Sequence, residues 1–230
     1  MLKRLLSYND SSMKNFILGL LDFIYKKKCY FCGSSRESVS MCSKCFNELE
    51  FNNILVDREI LGVKVFISGC YEKYSQKLIR GIKYHVQKDL AYYQARFMYE
   101  YFSDVIDKFH LSKDFCIIPV PLHKNREKKR GYNHMELVAK EFSQMSGFEY
   151  CSNFIKRVKA TKPQYKLSRV ERINNLSGAF SVDILKKPNK TILLIDDICT
   201  SGTTFEVIIE ELHKNGIKDI ICFATTSPNS

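Results

Sequence analysis

Two adjacent acids and a short hydroxyl-rich loop follow an apolar run in the last quarter of the sequence. Residues 192–195 read Ile-Leu-Leu-Ile, and Asp196 and Asp197 come directly after them. Four consecutive apolar residues predict a strand covered on both faces, with the acids where that strand leaves the sheet. Ligands of open α/β sheets bind at this edge, and carboxylates there can accept hydrogen bonds from the neighbouring hydroxyls of a sugar. The two acids therefore predict a sugar-binding position.

The loop after the acids has the composition of a phosphate-binding turn. It consists of Thr200, Ser201, Gly202, Thr203 and Thr204 and runs directly into a predicted helix. Hydroxyls and backbone N–H groups at a helix N-terminus can surround a phosphate. The loop has no lysine, and the sequence lacks the G-x-x-x-x-G-K-[ST] pattern of nucleoside triphosphate sites, so we expect a monophosphate. Two alternatives stay open, a purely structural capped turn and the acidic strand end of an ATPase.

A basic run, Lys124–Arg130, follows the predicted strand at residues 116–120. Arginine is well shaped for bidentate phosphate contacts, and lysine adds unspecific attraction. The run predicts contacts to pyrophosphate or to nucleic-acid phosphates, and a solvated helix face is the alternative. A second basic stretch, at residues 159–181, reads as a long loop that could close over a diphosphate. The candidate residues of the two stretches are Arg126, Lys128, Lys129, Arg130, Arg169 and Arg172.

Four cysteines form two Cys-x-x-Cys pairs, Cys29 with Cys32 and Cys42 with Cys45. This spacing is typical of a structural zinc site with four thiolate ligands. Disulfides and an iron–sulfur cluster are the alternatives. The five other cysteines, at positions 70, 116, 151, 199 and 222, are expected to be thiols of the core, because we expect a reducing compartment.

Strands alternate with helices in the second half of the chain, which predicts an α/β fold with a doubly wound, mostly parallel sheet. We expect a leader helix and the zinc element in residues 1–50 and the main domain in residues 60–230. The remaining predicted elements are a leader helix at 13–26, a helical segment at 74–107, a helix at 134–146, a strand at 154–158, a strand at 191–195, a helix at 204–215 and a strand at 220–225.

The net charge of +11 favours polyanionic or phosphorylated partners. The N-terminal apolar stretch at residues 16–21 is shorter than the ~20 residues that span a bilayer, and no cleavage pattern of a signal peptide follows it. We therefore expect a cytoplasmic protein without membrane insertion.

Residues 192–204 resemble the phosphoribosyl pyrophosphate signature of the type I phosphoribosyltransferases. Further residues resemble the ComF branch of that fold, and the similarity runs from Cys29 to Ser227. They are Pro119-Val-Pro-Leu-His123, Arg126, Arg130-Gly-Tyr-Asn133, Thr161, Gln164, Leu167, Arg172, Asn175 and Gly178-Ala-Phe180. One departure is His134, where the family usually has glutamine.

The resemblance implies a phosphoribosyltransferase-like core with a zinc element, in a family linked to natural transformation and the uptake of single-stranded DNA. It implies that Asp196 and Asp197 bind the ribose hydroxyls, with Mg²⁺ nearby, and that residues 200–204 bind the 5-phosphate. Two hypotheses follow. The protein either binds single-stranded DNA and a ribose phosphate ligand, together with other competence proteins, or it transfers a phosphoribosyl group from phosphoribosyl pyrophosphate to a base or amine. We favour the first, since no acceptor-binding segment can be identified in the sequence.

Overall fold

The structure, a computed structural model, describes residues 26–161 and 167–228, without the side chain of Arg169. Nearly all of the predicted leader helix at 13–26 therefore lies outside the described residues. The chain divides into two compact units, residues 1–45 and residues 46–230. The helices are α1 Ser43–Phe46, α2 Lys73–Tyr84, α3 Leu90–Phe109, α4 Lys124–Arg130, α5 His134–Ser146, α6 Arg169–Leu176 and α7 Thr203–Lys214, with one 3₁₀ turn at Ile184–Lys186.

A six-stranded sheet forms the centre of the second unit and confirms the predicted mostly parallel α/β fold. Its strands lie in the order β1-β2-β8-β7-β3-β4, and only the β1–β2 pair is antiparallel. A separate antiparallel pair is formed by β5 and β6. The bounds of the strands are β1 Arg58–Ile60, β2 Val63–Cys70, β3 Phe115–Pro119, β4 Glu149–Tyr150, β5 Ile155–Arg157, β6 Phe180–Val182, β7 Thr191–Ile198 and β8 Ile220–Ser227.

Strand β7 continues past the point where the sequence predicted its end. Asp196 pairs with Ala224 and Ile198 pairs with Thr226, so both acids belong to the strand. The predicted strand at 191–195 is therefore three residues too short, and the acids lie within the last three residues of β7. Because side chains alternate between the two faces of a strand, Asp196 and Asp197 point to opposite faces of the sheet.

Two predicted segments differ from the structure. The helical segment at 74–107 is two helices, α2 and α3, because Val86 between them takes a left-handed backbone conformation with φ 56°. The predicted loop at 159–181 contains α6 and β6. Helix α6 begins with a capping box, in which the Ser168 hydroxyl accepts from Glu171 N and the Glu171 carboxylate accepts from Ser168 N.

Two cysteines that were expected to be thiols, Cys116 and Cys151, are joined by a disulfide. Cys116 lies in β3, and Cys151 follows the neighbouring parallel strand β4, where its N–H donates to Ile117 O at 3.0 Å. The two residues are 35 positions apart, so only the pairing of β3 with β4 brings them together. The other three, at positions 70, 199 and 222, are thiols as predicted.

The buried core lies on both faces of the sheet. On one face, α3 and α5 pack an aromatic cluster in which Phe102 contacts Phe115, Phe142 and Phe223 with ring centroids 4.9 to 6.1 Å apart. On the other face, α7 packs Phe205, Ile208 and Leu212 against β7 and β8. Within the described ranges, none of the helices combines the length and the apolar character that crossing a bilayer requires.

Candidate functional site

A cleft of about 300 Å³ lies at the carboxyl edge of the sheet and brings together seven of the predicted site residues. We call it the carboxyl-edge cleft. Its lining includes the predicted residues Asp196, Asp197, Thr200, Thr204, Arg126, Arg130 and Arg172. It also includes Lys83, His134 and Arg157, which the sequence did not single out as ligands. The cleft therefore combines two carboxylates with five cationic side chains.

The carboxylate of Asp197 is buried and already engaged. Its Oδ2 atom forms an ion pair with Lys83 Nζ and a hydrogen bond with His134 Nε2. Burial alone would raise the pKa of Asp197, but the charge of Lys83 and the contact with His134 outweigh burial and lower this pKa. Asp197 is thus a fixed anion that holds two side chains from different helices, Lys83 from α2 and His134 from α5.

The ring of His134 is neutral and is oriented by its two neighbours. Arg130 Nη1 lies 2.6 Å from His134 Nδ1, and a guanidinium can only donate, so Nδ1 accepts this hydrogen bond. The proton of the neutral ring is then on Nε2 and is donated to Asp197. Burial lowers the pKa of His134 to about 4, against the opposing effect of the Asp197 charge. The residue that departs from the family pattern thus acts as a donor to the buried acid.

Asp196 is half-buried on the side of the cleft that faces the phosphate loop. Burial, and then the charge of Asp197, raise the pKa of Asp196 to about 7. Its Oδ1 accepts one hydrogen bond, from Asp197 N at 2.8 Å. Asp196 is therefore the acid whose remaining acceptor positions are available to a ligand in the cleft.

The loop at residues 200–204 has an open helix terminus at its end. Gly202 is the N-cap of α7 with φ 78°, and it makes no side-chain cap hydrogen bond because glycine has no side chain. The positive φ favours glycine here, and a Cβ atom would also lie 2.6 Å from Ile60 Cδ1, so the Ile60 side chain would have to shift. Arg172 Nη1 donates to Thr200 Oγ1 at 3.0 Å and to Ser201 Oγ at 3.2 Å. The loop thus presents hydroxyls, the N-terminus of a helix and a guanidinium together.

Helix α4 distributes its basic residues over different surroundings. Arg126 and Arg130 line the carboxyl-edge cleft, and Arg126 Nη2 donates to Thr161 O at 3.2 Å. Lys128 and Lys129 are exposed and lie outside that lining. The predicted basic run is therefore divided into a cleft pair and a solvent-facing pair. Arg169 begins α6, and its side chain lies outside the described part of the chain.

Three cations near the site were missed, and they differ in the signal that the sequence carries. Lys83 is one of many lysines in the sequence, and nothing local distinguishes it. Arg157 does carry a signal, because alternation in β5 places it on the same buried face as Ile155, where an arginine is unusual. Arg58, on β1, was also missed, and its Nη1 donates to Thr200 O at 2.9 Å.

The four cysteines of the N-terminal unit converge as predicted. Their sulfur atoms all lie within 4.8 Å of one another, and Cys32 Sγ is 3.7 Å from Cys42 Sγ. A tetrahedron of thiolates at ~2.3 Å from zinc has edges of about 3.8 Å, so the spacing fits such an ion. Burial raises the pKa of Cys29, but backbone N–H donors of Cys32 and Cys42 outweigh burial and lower it to about 6, whereas burial raises the pKa of Cys45. The arrangement can hold a metal ion with four protein ligands.

The chain is similar to a known protein family and to individual proteins. Residues 129–230 match the family described as "Phosphoribosyl transferase domain". Competence protein F of Haemophilus influenzae (strain ATCC 51907 / DSM 11121 / KW20 / Rd) is 32% identical over 199 residues, which cover 84% of this chain and 86% of that protein.

Two further relatives share shorter regions. Competence protein ComFC of Streptococcus pneumoniae (strain ATCC BAA-255 / R6) is 30% identical over 124 residues, 54% of this chain and 52% of that protein. The DNA utilization protein YhgH of Escherichia coli (strain K12) is 32% identical over 100 residues, 44% of each chain. With the similarity to Competence protein F extending over most of both sequences, the chain belongs to the ComF family.

Proposed function

We propose that the carboxyl-edge cleft binds a ribose 5-phosphate group, as phosphoribosyl pyrophosphate with Mg²⁺. The observation that carries this proposal is the position of Asp196 beside an uncapped helix terminus in a cleft with four arginines. Residues 200–204 would surround the 5-phosphate, and Asp196 would accept hydrogen bonds from the ribose hydroxyls. Asp197 would accept a hydrogen bond from the ribose through Oδ1, because Lys83 and His134 both contact Oδ2.

The diphosphate would be bound by the arginines that line the same cleft. Arg126, Arg130 and Arg172 were expected from the sequence, and Arg157 joins them. Guanidinium groups match phosphate oxygens with two parallel hydrogen bonds. Mg²⁺ would neutralise diphosphate charge near Asp196 and Asp197.

At the level of the cell, we propose a role in DNA uptake during natural transformation, in the cytoplasm, together with other competence proteins. The names of the relatives, Competence protein F and DNA utilization protein, support this role. Single-stranded DNA is the proposed macromolecular ligand. The net charge of +11 and the exposed pair Lys128 and Lys129 support contacts to its phosphates.

A second candidate function is favoured by the number of cations in the cleft. Displacement of pyrophosphate at the anomeric carbon leaves a diphosphate anion, and fixed arginines would stabilise the developing charge. In that case the protein would be an active phosphoribosyltransferase acting on a base or amine. Release of pyrophosphate in the presence of candidate acceptors distinguishes this enzyme from a binding protein.

For the N-terminal unit we propose one structural zinc ion, held by Cys29, Cys32, Cys42 and Cys45. Four protein ligands leave no open coordination position, so the ion would supply folding free energy rather than catalysis. The closeness of the four sulfur atoms supports this proposal.

The ribose phosphate proposal predicts a pH-dependent affinity. Because the pKa of Asp196 is raised to about 7, the ionised form that accepts hydroxyl hydrogen bonds is lost as pH falls. Affinity for phosphoribosyl pyrophosphate with Mg²⁺ should fall by about tenfold from pH 8 to pH 6, since each unit below a pKa lowers the ionised fraction nearly tenfold. Calorimetric titration at several pH values measures it.

Asp196→Asn is the matched control for this measurement. It should bind about tenfold to a hundredfold more weakly at pH 8, because a charge-assisted hydrogen bond is worth about 1.5–3 kcal/mol. The affinity of this variant should vary with pH only because the phosphate groups of the ligand titrate. Equal affinity and an equal pH profile in the variant and the wild type would refute the assignment of Asp196.

The zinc proposal predicts one zinc ion per chain in protein purified without chelator. Cys42→Ser should lower the zinc content and loosen the N-terminal unit, since metal binding and folding of such a unit are coupled. Elemental analysis together with limited proteolysis measures both effects, and Cys70→Ser serves as the control. Protein without zinc whose four thiols titrate freely would contradict the proposal.

The DNA proposal predicts a salt-dependent affinity for a labelled single strand. Neutralising about four phosphates gives a slope of log affinity against log salt near −2.8. Replacing Lys128 and Lys129 with Ala should remove about 1.4 of that slope. Fluorescence anisotropy measures it, and Lys186→Ala with Lys187→Ala, an exposed pair outside both α4 and the carboxyl-edge cleft, is the control. Equal slopes in the two double variants would exclude α4 as the contact.

A further inference from the structure

A larger cleft lies beside the carboxyl-edge cleft and shares Arg157 with it. It has a volume of about 520 Å³ and lies between α4, the start of α5 and the segment from β4 to β5. We call it the β4 cleft. The two clefts share Pro121, Leu122 and Arg157 in their linings. A volume of this size is typical of sites for small organic ligands.

Arg157 is the feature that points to a ligand. It is 9% exposed, and its Nε has no hydrogen-bond partner among the described residues. Its Nη2 donates to Thr161 Oγ1, and its guanidinium lies 5.4 Å from the ring centroid of Phe180. No carboxylate lies within ion-pair distance of it in the ranges that the structure describes. Because a buried cation is normally paired, the missing partner is expected to be an anion from outside the chain.

Two more cations line the β4 cleft. Lys124 begins α4 and is exposed, and Lys156 lies in β5 next to Arg157. Lys156 forms one long contact, 3.5 Å from Asp183 Oδ2, with its side chain 53% exposed. Such a pair is weak and can be exchanged for a phosphate contact. The acids of the lining are Glu127 and Glu136, so cations are in excess by one.

The rest of the lining suits an aromatic base. Tyr150, at the end of β4, is half-buried, and burial followed by the charge of Glu136 raises its pKa to about 12, so its hydroxyl is neutral. Every nucleobase can stack on such a ring. The Asn133 amide lies 3.4 Å from Glu136 Oε1, which places an amide and a carboxylate side by side. The Asn133 amide oxygen already accepts from Met135 N, so the half-buried Glu136 carboxylate is the group that can accept from the polar edge of a base. Ile118, Pro121 and Leu122 add apolar surface.

We propose that the β4 cleft is a second ligand site and that it binds a nucleoside phosphate, with the phosphate on Arg157 and Lys156 and the base against Tyr150. The ligand could be a free nucleotide or one unit of a DNA single strand, because both carry the same chemistry. Through Arg157 the two clefts share one guanidinium. Tyr150 and Lys156 take no part in the ribose phosphate site, so their contacts do not require phosphoribosyl pyrophosphate.

The test measures two probes on the full-length protein: dTMP by calorimetry and a labelled (dT)₁₂ strand by anisotropy. Tyr150→Leu should weaken dTMP binding by about tenfold, since loss of base stacking has effects of this order. Lys156→Ala should weaken it several-fold. Arg157→Lys, which keeps the charge but loses the Nε donor, should weaken it as well. Tyr150 is half-buried and Lys156 is exposed, so their variants should fold and keep the test valid if the Arg157 variant does not fold.

The controls are Tyr92→Leu and Lys187→Ala, which remove an exposed ring and an exposed charge outside both clefts. They should bind dTMP like the wild type.

The two probes distinguish the sources of the ligand. If the Tyr150 variant loses binding of both dTMP and (dT)₁₂, the site exists and its ligand is a unit of a DNA strand. If it loses binding of dTMP alone, the site exists and its ligand is a free nucleotide. Absence of dTMP binding in the wild type, or equal affinities in the Tyr150, Lys156 and control variants, overturns the proposal. The thermal shift with phosphoribosyl pyrophosphate and Mg²⁺ should be unchanged in Tyr150→Leu and Lys156→Ala. A missing shift in the wild type refutes the ribose phosphate proposal alone.

Discussion

The carboxylate of Asp197 lies inside the fold, where a charge is stable only with close partners. Lys83 and His134 provide them, and Arg130 in turn donates to His134. This set of contacts joins the end of α2, the junction of α4 and α5, and strand β7. Removing one partner of a buried pair typically costs about 3–5 kcal/mol, so the position of each element at the carboxyl edge depends on this acid.

From this constraint follows a division of roles between the two neighbouring acids. Asp197 is used within the protein, whereas Asp196, with a pKa near 7 and free acceptor positions, faces the phosphate loop. The same division occurs among the cations. Arg130 positions His134, whereas Arg172 reaches the loop hydroxyls, and Arg157 lies between two clefts with a donor unused. A ligand site is thus assembled from groups that the buried cluster leaves available.

The sequence predicts those features of the fold that depend on residues close together in the chain. The strand that carries Asp196, the loop around Gly202 and the two cysteine pairs are local, and the structure contains all three. Contacts across the chain were not predictable in the same way. Lys83 meets Asp197 only because α2 packs near β7, and Cys116 meets Cys151 only because β3 and β4 are neighbours. The capping box of Ser168 and Glu171 was a local signal, and the basic composition of its segment concealed it.

His134 is a neutral, buried donor to Asp197, whose pKa is lowered by Lys83 and His134. Nitrogen NMR of the histidine rings tests it most directly, because the two ring nitrogens report protonation separately. The ring of His134 should stay neutral, with its proton on Nε2, as pH is lowered to about 5. It should take up a second proton only near its pKa of about 4. A ring of His134 that becomes doubly protonated around its ordinary pKa of ~6.5 would contradict it.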